Sequence, residues 1–160
     1  MAQLTTCEIR LARTKDATIL AHMSRDYIEH GLGWRWRPAS IRAKISAPET
    51  VVLIAEVALA GKRFIGGFAA MDFGQDKAIL SLLAVHPNLR RHGIGGQLLR
   101  WLHKSARIAG CFDIELQVRA NNVAARGFYK RLGYREVSHL PGYYSGREAA
   151  YQMTRNLAKS

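Results

Sequence analysis

The 160-residue chain has only two cysteines, Cys7 and Cys111, and no long apolar run. Two cysteines are too few for the disulfide framework of a small secreted protein, so we expect free thiols and a reducing, cytoplasmic location. No apolar stretch reaches the length of a membrane span, and residues 1–7 lack the features of a signal peptide. We expect one domain over residues 1–160 and no membrane partner. We also expect no metal site, because neither His86 nor His139 has neighbours that could bind the same ion.

Acidic residues are also scarce, with 12 against 24 basic ones, which gives a net charge of +12. This excess has two interpretations: contact with nucleic acid or the ribosome, or solubility combined with attraction for a highly anionic small ligand. The basic residues are spread along the chain, and no basic run with interleaved aromatics stands out. We therefore favour the second interpretation and do not expect nucleic-acid binding.

One segment predicts a strand, a basic loop and a helix in succession. The apolar run Ile79–Val85 is typical of a buried strand, and Pro87 ends it. Arg90, Arg91 and His92 follow, and three glycines, Gly93, Gly95 and Gly96, then lead into a helix. Glycines let a ligand approach the backbone, and the N–H groups at a helix start attract anions. The segment predicts a site for a pyrophosphate or a similar polyanion.

Two common phosphate loops do not fit this segment. A P-loop needs Lys-Ser or Lys-Thr after its last glycine, whereas Gln97 and Leu98 follow Gly96. A dinucleotide-binding turn needs a third glycine or alanine where Leu98 stands, and a shorter loop. Asp113 lies about as far downstream as a ribose-binding acid, but it begins its strand, whereas that acid belongs at the strand end.

The remaining pattern, Arg90-x-x-Gly93-x-Gly95, resembles the acetyl-CoA pyrophosphate loop of the GNAT acetyltransferase superfamily. A second segment, 122–134, reads NVAARGFYKRLGY and is similar to that family's signature Asn-x-x-Ala-x-x-Leu/Phe-Tyr-x-x-x-Gly-Phe/Tyr. The two segments occur in the family's order, separated by one helix and one strand. The chain is identified on these motifs as resembling a GNAT N-acetyltransferase.

The hydrophobic patterns predict the element order βααβββαβαββ. The strands are expected over 7–13, 51–58, 63–72, 77–85, 112–119, 134–139 and 148–157, and the helices over 16–30, from Pro38, over 95–109, and from Asn121 or Asn122 to Gly133. This order is that of the GNAT fold, so the resemblance covers nearly the whole chain. It implies an α/β protein with a mixed, mostly antiparallel sheet that splays open between its fourth and fifth strands and is flanked by helices.

The resemblance implies acetyl-CoA as cofactor and CoA as product. It assigns coenzyme contacts to Leu83, Ala84 and Val85 on the strand, to Arg90, Arg91, His92, Gly93, Ile94, Gly95 and Gly96 in the loop, and to Asn122, Ala125, Phe128 and Tyr129 on the later helix. Asn122 has two interpretations that can both hold, a helix cap and a coenzyme contact.

Tyr129 is the predicted general acid, because a phenol near the sulfur can give a proton to the departing thiolate. The general base is less clear. The chain resembles ribosomal-protein-alanine N-acetyltransferases over 116–122 and 142–153. However, Gln117 stands where those enzymes carry the Glu that serves as the general base. A carboxamide cannot accept that proton. Glu115 lies on the same strand face, about 7 Å away, and we name it as the substitute base. Glu29, His30 and a water chain to solvent are the alternatives.

The acceptor side is predicted from two loops and one strand. Trp34 and Trp36, with Tyr143 and Tyr144, belong to loops that flank the acceptor cleft in this family, and Glu29 and Gln117 face the same cleft. The partners expected are acetyl-CoA and a primary amine, either a peptide or protein N-terminus or a small molecule; a homodimer is common among such enzymes. The alternative is a coenzyme-binding regulatory or ribosome-associated module with little catalysis.

Overall fold

The computed structural model describes residues 4–158. The strands are β1 Leu4–Leu11, β2 Thr50–Leu59, β3 Lys62–Phe73, β4 Lys77–Val85, β5 Asp113–Arg119, β6 Arg135–Tyr144 and β7 Glu148–Asn156. The helices are α1 Ala17–Met23, α2 Pro38–Ser46, α3 Ile94–Ala109 and α4 Val123–Arg131. The predicted element order is confirmed. No helix within the described residues is long and apolar enough to cross a membrane.

All seven strands form one mixed sheet in the order β1-β2-β3-β4-β5-β7-β6. Every neighbouring pair is antiparallel except β4 and β5, which run parallel. These two strands pair only from Lys77 to Ile79 on β4 and from Asp113 to Glu115 on β5. Beyond Ile79 the strands separate, which confirms the splayed sheet. The edge of β4 that faces the gap therefore has no strand bonded to it.

Helices cover both faces of the sheet because the strands alternate buried side chains between two cores. On β2, Leu53, Ala55 and Val57 join the core beneath α3 and α4, whereas Val52 and Ile54 join the core beneath α1 and α2. Helix α3 contributes a continuous apolar stripe to the first core, namely Leu98, Leu99, Leu102 and Ala106. The sheet is thus the middle of three layers.

A bulge at Ser81 reverses this alternation within β4. Ala70 pairs with Leu82 and Met71 pairs with Leu80, so Ser81 is an extra residue on β4. Leu80 accordingly lies in the core beneath α3, and Leu82 lies in the core beneath α1 and α2. The Ser81 hydroxyl donates a hydrogen bond to Ala70 O at 3.2 Å. The bulge therefore exchanges the two faces of β4 after Ser81, close to Ile79, where β4 separates from β5.

Three local differences from the sequence prediction have physical causes. Helix α1 ends at Met23 rather than near residue 30 and continues as a wider π-type turn over Ser24–Ile28. The Ala60 and Gly61 turn joins β2 to β3, with φ of 51° and 78°, so the tight hairpin turn lies one residue earlier than expected. Strand β6 continues to Tyr144, because a bulge near Gly142 (φ 65°) keeps it paired with β7.

Candidate active site

The start of α3 is an open array of N–H groups. The first helical hydrogen bond runs from Gln97 N–H to Gly93 O at 3.0 Å, which leaves the N–H groups of Ile94, Gly95 and Gly96 without an intrahelical acceptor. Gly93 precedes them with φ of 77° and offers no capping side chain. Arg91 in the same loop also has a left-handed φ, 68°. The arrangement is that of an anion-binding helix N-terminus with exposed cations beside it.

Gly95 allows α3 to approach α4 closely. A β-carbon at this position would lie 3.1 Å from Phe128 Cζ and 3.7 Å from Val85 Cγ2. The first turn of α3 therefore touches both the end of β4 and the Phe128 ring on α4. The loop, β4 and α4 are held as one unit around the gap in the sheet.

A cavity of about 610 Å³ occupies that gap. It extends from the separated strands β4 and β5 to the segment 27–36 and to the β6–β7 hairpin. Nine of the predicted site residues line it: Glu29, Trp36, Leu83, Gln117, Asn122, Ala125, Tyr129, Tyr143 and Tyr144. Residues predicted for coenzyme and for acceptor thus meet in one space.

The other predicted residues lie outside this lining. They are Ala84, Val85, Arg90, Arg91, His92, Gly93, Ile94, Gly95, Gly96, Phe128, Trp34 and Glu115. For Trp34 the reason is packing: its indole N–H donates to Ala21 O at 3.2 Å, and the Arg25 and Arg37 guanidiniums lie 5.3 and 4.8 Å from the centre of its ring. Tyr143 and Tyr144 belong to β6, so their assignment to a loop is wrong, although they do line the cavity.

Tyr129 is buried in the wall of the cavity. Its ring contacts Phe128 and Tyr134 with centroids 5.3 and 5.7 Å apart. Burial raises the pKa of Tyr129 well above its usual range, and nearby Tyr144 raises it further. Burial likewise raises the pKa of Tyr144 to about 12. Both phenols therefore keep their protons at neutral pH, which suits Tyr129 as a proton donor.

Glu29 is buried, and its carboxylate organises the loop after α1. Its Oε1 accepts from Arg35 N–H at 2.7 Å, and its Oε2 accepts from Ser24 Oγ–H at 2.9 Å. Trp36 N–H lies 3.3 Å from both oxygens. These bonds fix the segment that carries Trp36 into the cavity lining, so the geometry gives Glu29 a positioning task.

Gln117 lines the cavity, and Glu115, which does not line it, contacts the Gln117 side chain. Gln117 Nε2 lies 3.5 Å from Glu115 Oε2. The other carboxylate oxygen accepts from Gln152 Nε2 at 2.9 Å and pairs with Lys77 Nζ at 3.3 Å. A proton reaching Glu115 from the cavity would have to pass Gln117. The role of Glu115 as base stays a prediction.

Of the two predicted caps, Asn121 and Asn122, it is Asn122 that caps α4, since its Oδ1 accepts from Ala125 N–H at 3.1 Å. Capping uses the side-chain oxygen and leaves the amide N–H groups of Asn122, which also lines the cavity, available as donors. Its coenzyme contact stays a prediction.

Arg119 is a further candidate site residue, which the sequence pattern did not single out. It lies two residues after Gln117 on β5 and lines the same cavity. Its Nη2 donates to His30 O, and its Nε forms an ion pair with Glu148 Oε2 at 3.0 Å that lacks hydrogen-bond alignment. Its guanidinium lies 6.0 Å from the centre of the Tyr144 ring. Arg119 thus joins the loop after α1 to the β6–β7 hairpin. Residues two apart on a strand share one face, so its place two residues after Gln117 was the sequence signal that could have identified Arg119.

Known proteins share this architecture. Residues 48–136 match the acetyltransferase (GNAT) domain model. An uncharacterized N-acetyltransferase of Methanocaldococcus jannaschii is 45% identical over 85 residues, covering 52% of this chain and 53% of that protein. The ribosomal protein bS18-alanine N-acetyltransferase of Escherichia coli K12 is 36% identical over 92 residues, covering 56% and 62%. The matches thus span little more than half the length of these curated relatives.

Solved structures extend the likeness to the whole described fold. Ard1 from Thermoplasma volcanium superposes with a TM-score of 0.81 at 26% identity, over 96% of this chain and 99% of that one. The Escherichia coli ribosomal-protein-S18-alanine N-acetyltransferase gives 0.79 at 25% identity, over 97% and 96%. The domain match covers more than half the chain and includes β4, the α3 loop and all of α4. The chain belongs to the GNAT acetyltransferase family.

Proposed function

We propose that the protein is an acetyl-CoA-dependent N-acetyltransferase that transfers the acetyl group directly to a primary amine within a ternary complex. The observation that carries the proposal is the single cavity in the sheet gap, which brings Leu83 and Tyr129 together with Gln117 and Tyr144. A donor lying along β4 and an acceptor entering past the aromatic side chains would meet beside Tyr129. No covalent intermediate on the enzyme is needed.

The coenzyme contacts follow from the unpaired backbone groups. The free N–H groups of Ile94, Gly95 and Gly96 suit a pyrophosphate, with Arg90, Arg91 and His92 adding positive charge. The edge of β4 at Leu83, Ala84 and Val85 has no neighbouring strand and suits the amide groups of a pantetheine arm. Asn122 and Ala125 line the cavity on the α4 side, and the coenzyme contact of Phe128 stays a prediction.

In the proposed reaction the amine nitrogen bonds to the acetyl carbon, and the carbon–sulfur bond breaks. Tyr129 gives its proton to the sulfur, and its raised pKa keeps that proton available at neutral pH. The ammonium proton of the acceptor leaves through water, either to the Glu115 carboxylate behind Gln117 or to solvent. Tyr129 is then reprotonated from water.

The acceptor we propose is a peptide or protein N-terminus. The relatives that act on ribosomal protein bS18 alanine support this choice, and Trp36 and Tyr144 line the cavity on its acceptor side. A small-molecule amine is the alternative, and the aromatic walls favour it when the acceptor itself is apolar. The homodimer and the cytoplasmic location stay predictions; the latter rests on the two free cysteines.

The test is thiol release from acetyl-CoA across peptides that start with Ala, Ser or Met and a panel of small amines, from pH 6 to 9. Turnover with peptides alone supports the proposal, and turnover with small amines alone moves the acceptor to that class. Tight acetyl-CoA binding without turnover on any acceptor contradicts the catalytic proposal. That result would favour the coenzyme-binding module, which the glutamine at position 117 motivates.

A further inference from the structure

A second groove, of about 650 Å³, lies between α3, α4 and β7. Its lining includes five cations, Arg100, Lys104 and Arg107 from α3, Arg131 from α4 and Arg155 from β7. No Asp or Glu lines it. The groove shares no residue with the cavity between β4 and β5. The cations are far apart in sequence, and only the fold brings them together.

These five cations have no carboxylate partner among the described residues. The ion pairs of the described chain all involve other cations, for example Arg10 with Asp16 and Arg126 with Glu136. On α3, like charges one turn apart, as at Arg100 and Lys104, repel each other and weaken the helix. A cluster of this kind is stabilised when an external polyanion neutralises it.

The groove has the composition of a phosphate-binding surface. Four of its five cations are arginines, whose planar guanidiniums match phosphate oxygens in a two-pronged geometry. Arg100 and Arg107 are separated by seven residues, or about 10 Å of helix. That span is long enough for the cations to reach more than one phosphate of a nucleic-acid strand.

An exposed aromatic side chain stands beside the cations. Trp101 is 39% exposed and lies three residues before Lys104, so the two share a face of α3. A tryptophan next to a basic groove is the arrangement on which unpaired bases stack in proteins that bind single strands. A membrane surface fits less well, because the cations line a concavity rather than a flat face.

We propose that this groove binds single-stranded RNA through its phosphate backbone, with Trp101 stacking on a base. The sequence alone assigned the positive charge to solubility and coenzyme attraction because the cations are dispersed along the chain. The fold brings five of these cations into one groove that no carboxylate lines, and we assign that part of the positive charge to RNA binding.

Arg100 marks the boundary with the proposed coenzyme loop, because a β-carbon at Gly96 would lie 3.1 Å from Arg100 Nη1. The test therefore leaves Arg100 unchanged. It compares Lys104→Gln/Arg107→Gln with Lys15→Gln/Lys62→Gln, a pair of exposed lysines elsewhere on the chain that removes the same charge. A fluorescein-labelled 12-nucleotide oligouridylate reports binding by anisotropy from 25 to 200 mM salt.

We expect the parent protein to bind with an affinity that falls steeply with salt. Loss of two phosphate contacts should reduce the slope of log K against log salt by about 1.4 in the groove variant and leave it unchanged in the control variant. Trp101→Ala should weaken binding by about tenfold with little change in slope. Thermal melting of each variant checks that it folds.

Three results would overturn the proposal. The first is absence of binding at 25 mM salt, and the second is an equal loss in the groove and control variants, which would mean that only overall charge matters. The third is displacement of the RNA by saturating CoA or by an equal charge of polyglutamate, which would assign the groove to the coenzyme or to an acidic protein. Acetyl transfer is measured separately, so failure here leaves the proposed enzyme activity untouched.

Discussion

Replacing Tyr129 with Phe removes one hydroxyl from the wall of the cavity. No described residue forms a hydrogen bond with that hydroxyl, so its loss leaves no partner unsatisfied. The ring keeps its contacts with Phe128 and Tyr134. We expect the free energy of unfolding to change by less than about 1 kcal/mol. The effect on catalysis should be much larger, because general-acid catalysis contributes about 10²–10⁴-fold.

The lower end of that range is expected, because a thiolate is a good leaving group even without a proton. A 100-fold loss of kcat corresponds to about 2.7 kcal/mol of transition-state stabilisation. The raised pKa of Tyr129 adds a pH signature. Its acid form persists to high pH, so the parent enzyme should show no fall in kcat from Tyr129 ionisation between pH 7 and 9.

Tyr134→Phe is the matched control. Tyr134 is also buried and in contact with Tyr129, but its hydroxyl lies 2.7 Å from His103 Nε2 and does not line the cavity. This variant should lose stability and keep kcat. Both variants are assayed by thiol release at saturating acetyl-CoA and acceptor. A Tyr129→Phe enzyme that keeps kcat within twofold of the parent refutes the acid role; a raised KM for acetyl-CoA alone reassigns Tyr129 to binding.

Other residues give further predictions. Arg119→Gln should raise the acceptor KM severalfold while the Kd of acetyl-CoA, measured by calorimetry, stays constant, because Arg119 joins the two acceptor segments; an equal change in both constants would contradict this. Burial lowers the pKa of His103 from 6.5 to about 4, so the unfolded chain binds more protons between those values and stability should rise by up to about 3 kcal/mol from pH 4 to 6.5. Urea unfolding of His103→Gln should lack that rise. Gly95→Ala should weaken acetyl-CoA binding by pressing on Phe128, and Phe128→Leu in the same chain should restore it; no change in Kd would count against the close approach.

Much of the fold could be predicted because local patterns agree with tertiary structure. Strand β4 has the predicted bounds, and α3 begins one residue before the predicted position and ends at Ala109, just before Gly110, whose φ is 81°. The α4 cap at Asn122 was also predictable, since short polar side chains favour that position. These features depend on residues close together in sequence.

Features that depend on distant residues could not be predicted in this way. The bonds of Glu29 to the backbone of Arg35 and Trp36 require the chain to turn after the π-type segment. The bridge made by Arg119 joins positions 89 residues apart, and the basic groove gathers side chains from Arg100 to Arg155. The cavity at Tyr129 was predicted only because the family motif carries tertiary information that periodicity lacks.

The bulge at Ser81 makes the length of β4 matter as much as its composition. A strand has only two faces, so one extra residue exchanges the faces of everything that follows it. Deleting Ser81 would remove the bulge but keep the Ala70–Leu82 and Met71–Leu80 pairs, so Leu80 and Leu82 would become neighbours and stay in opposite layers. If Ser81 instead took a regular strand position, Leu82 and Ala84 would fall in the layer beneath α3. The bulge therefore absorbs one residue of β4 and keeps Leu83 and Val85 on the face that packs against the core beneath α3.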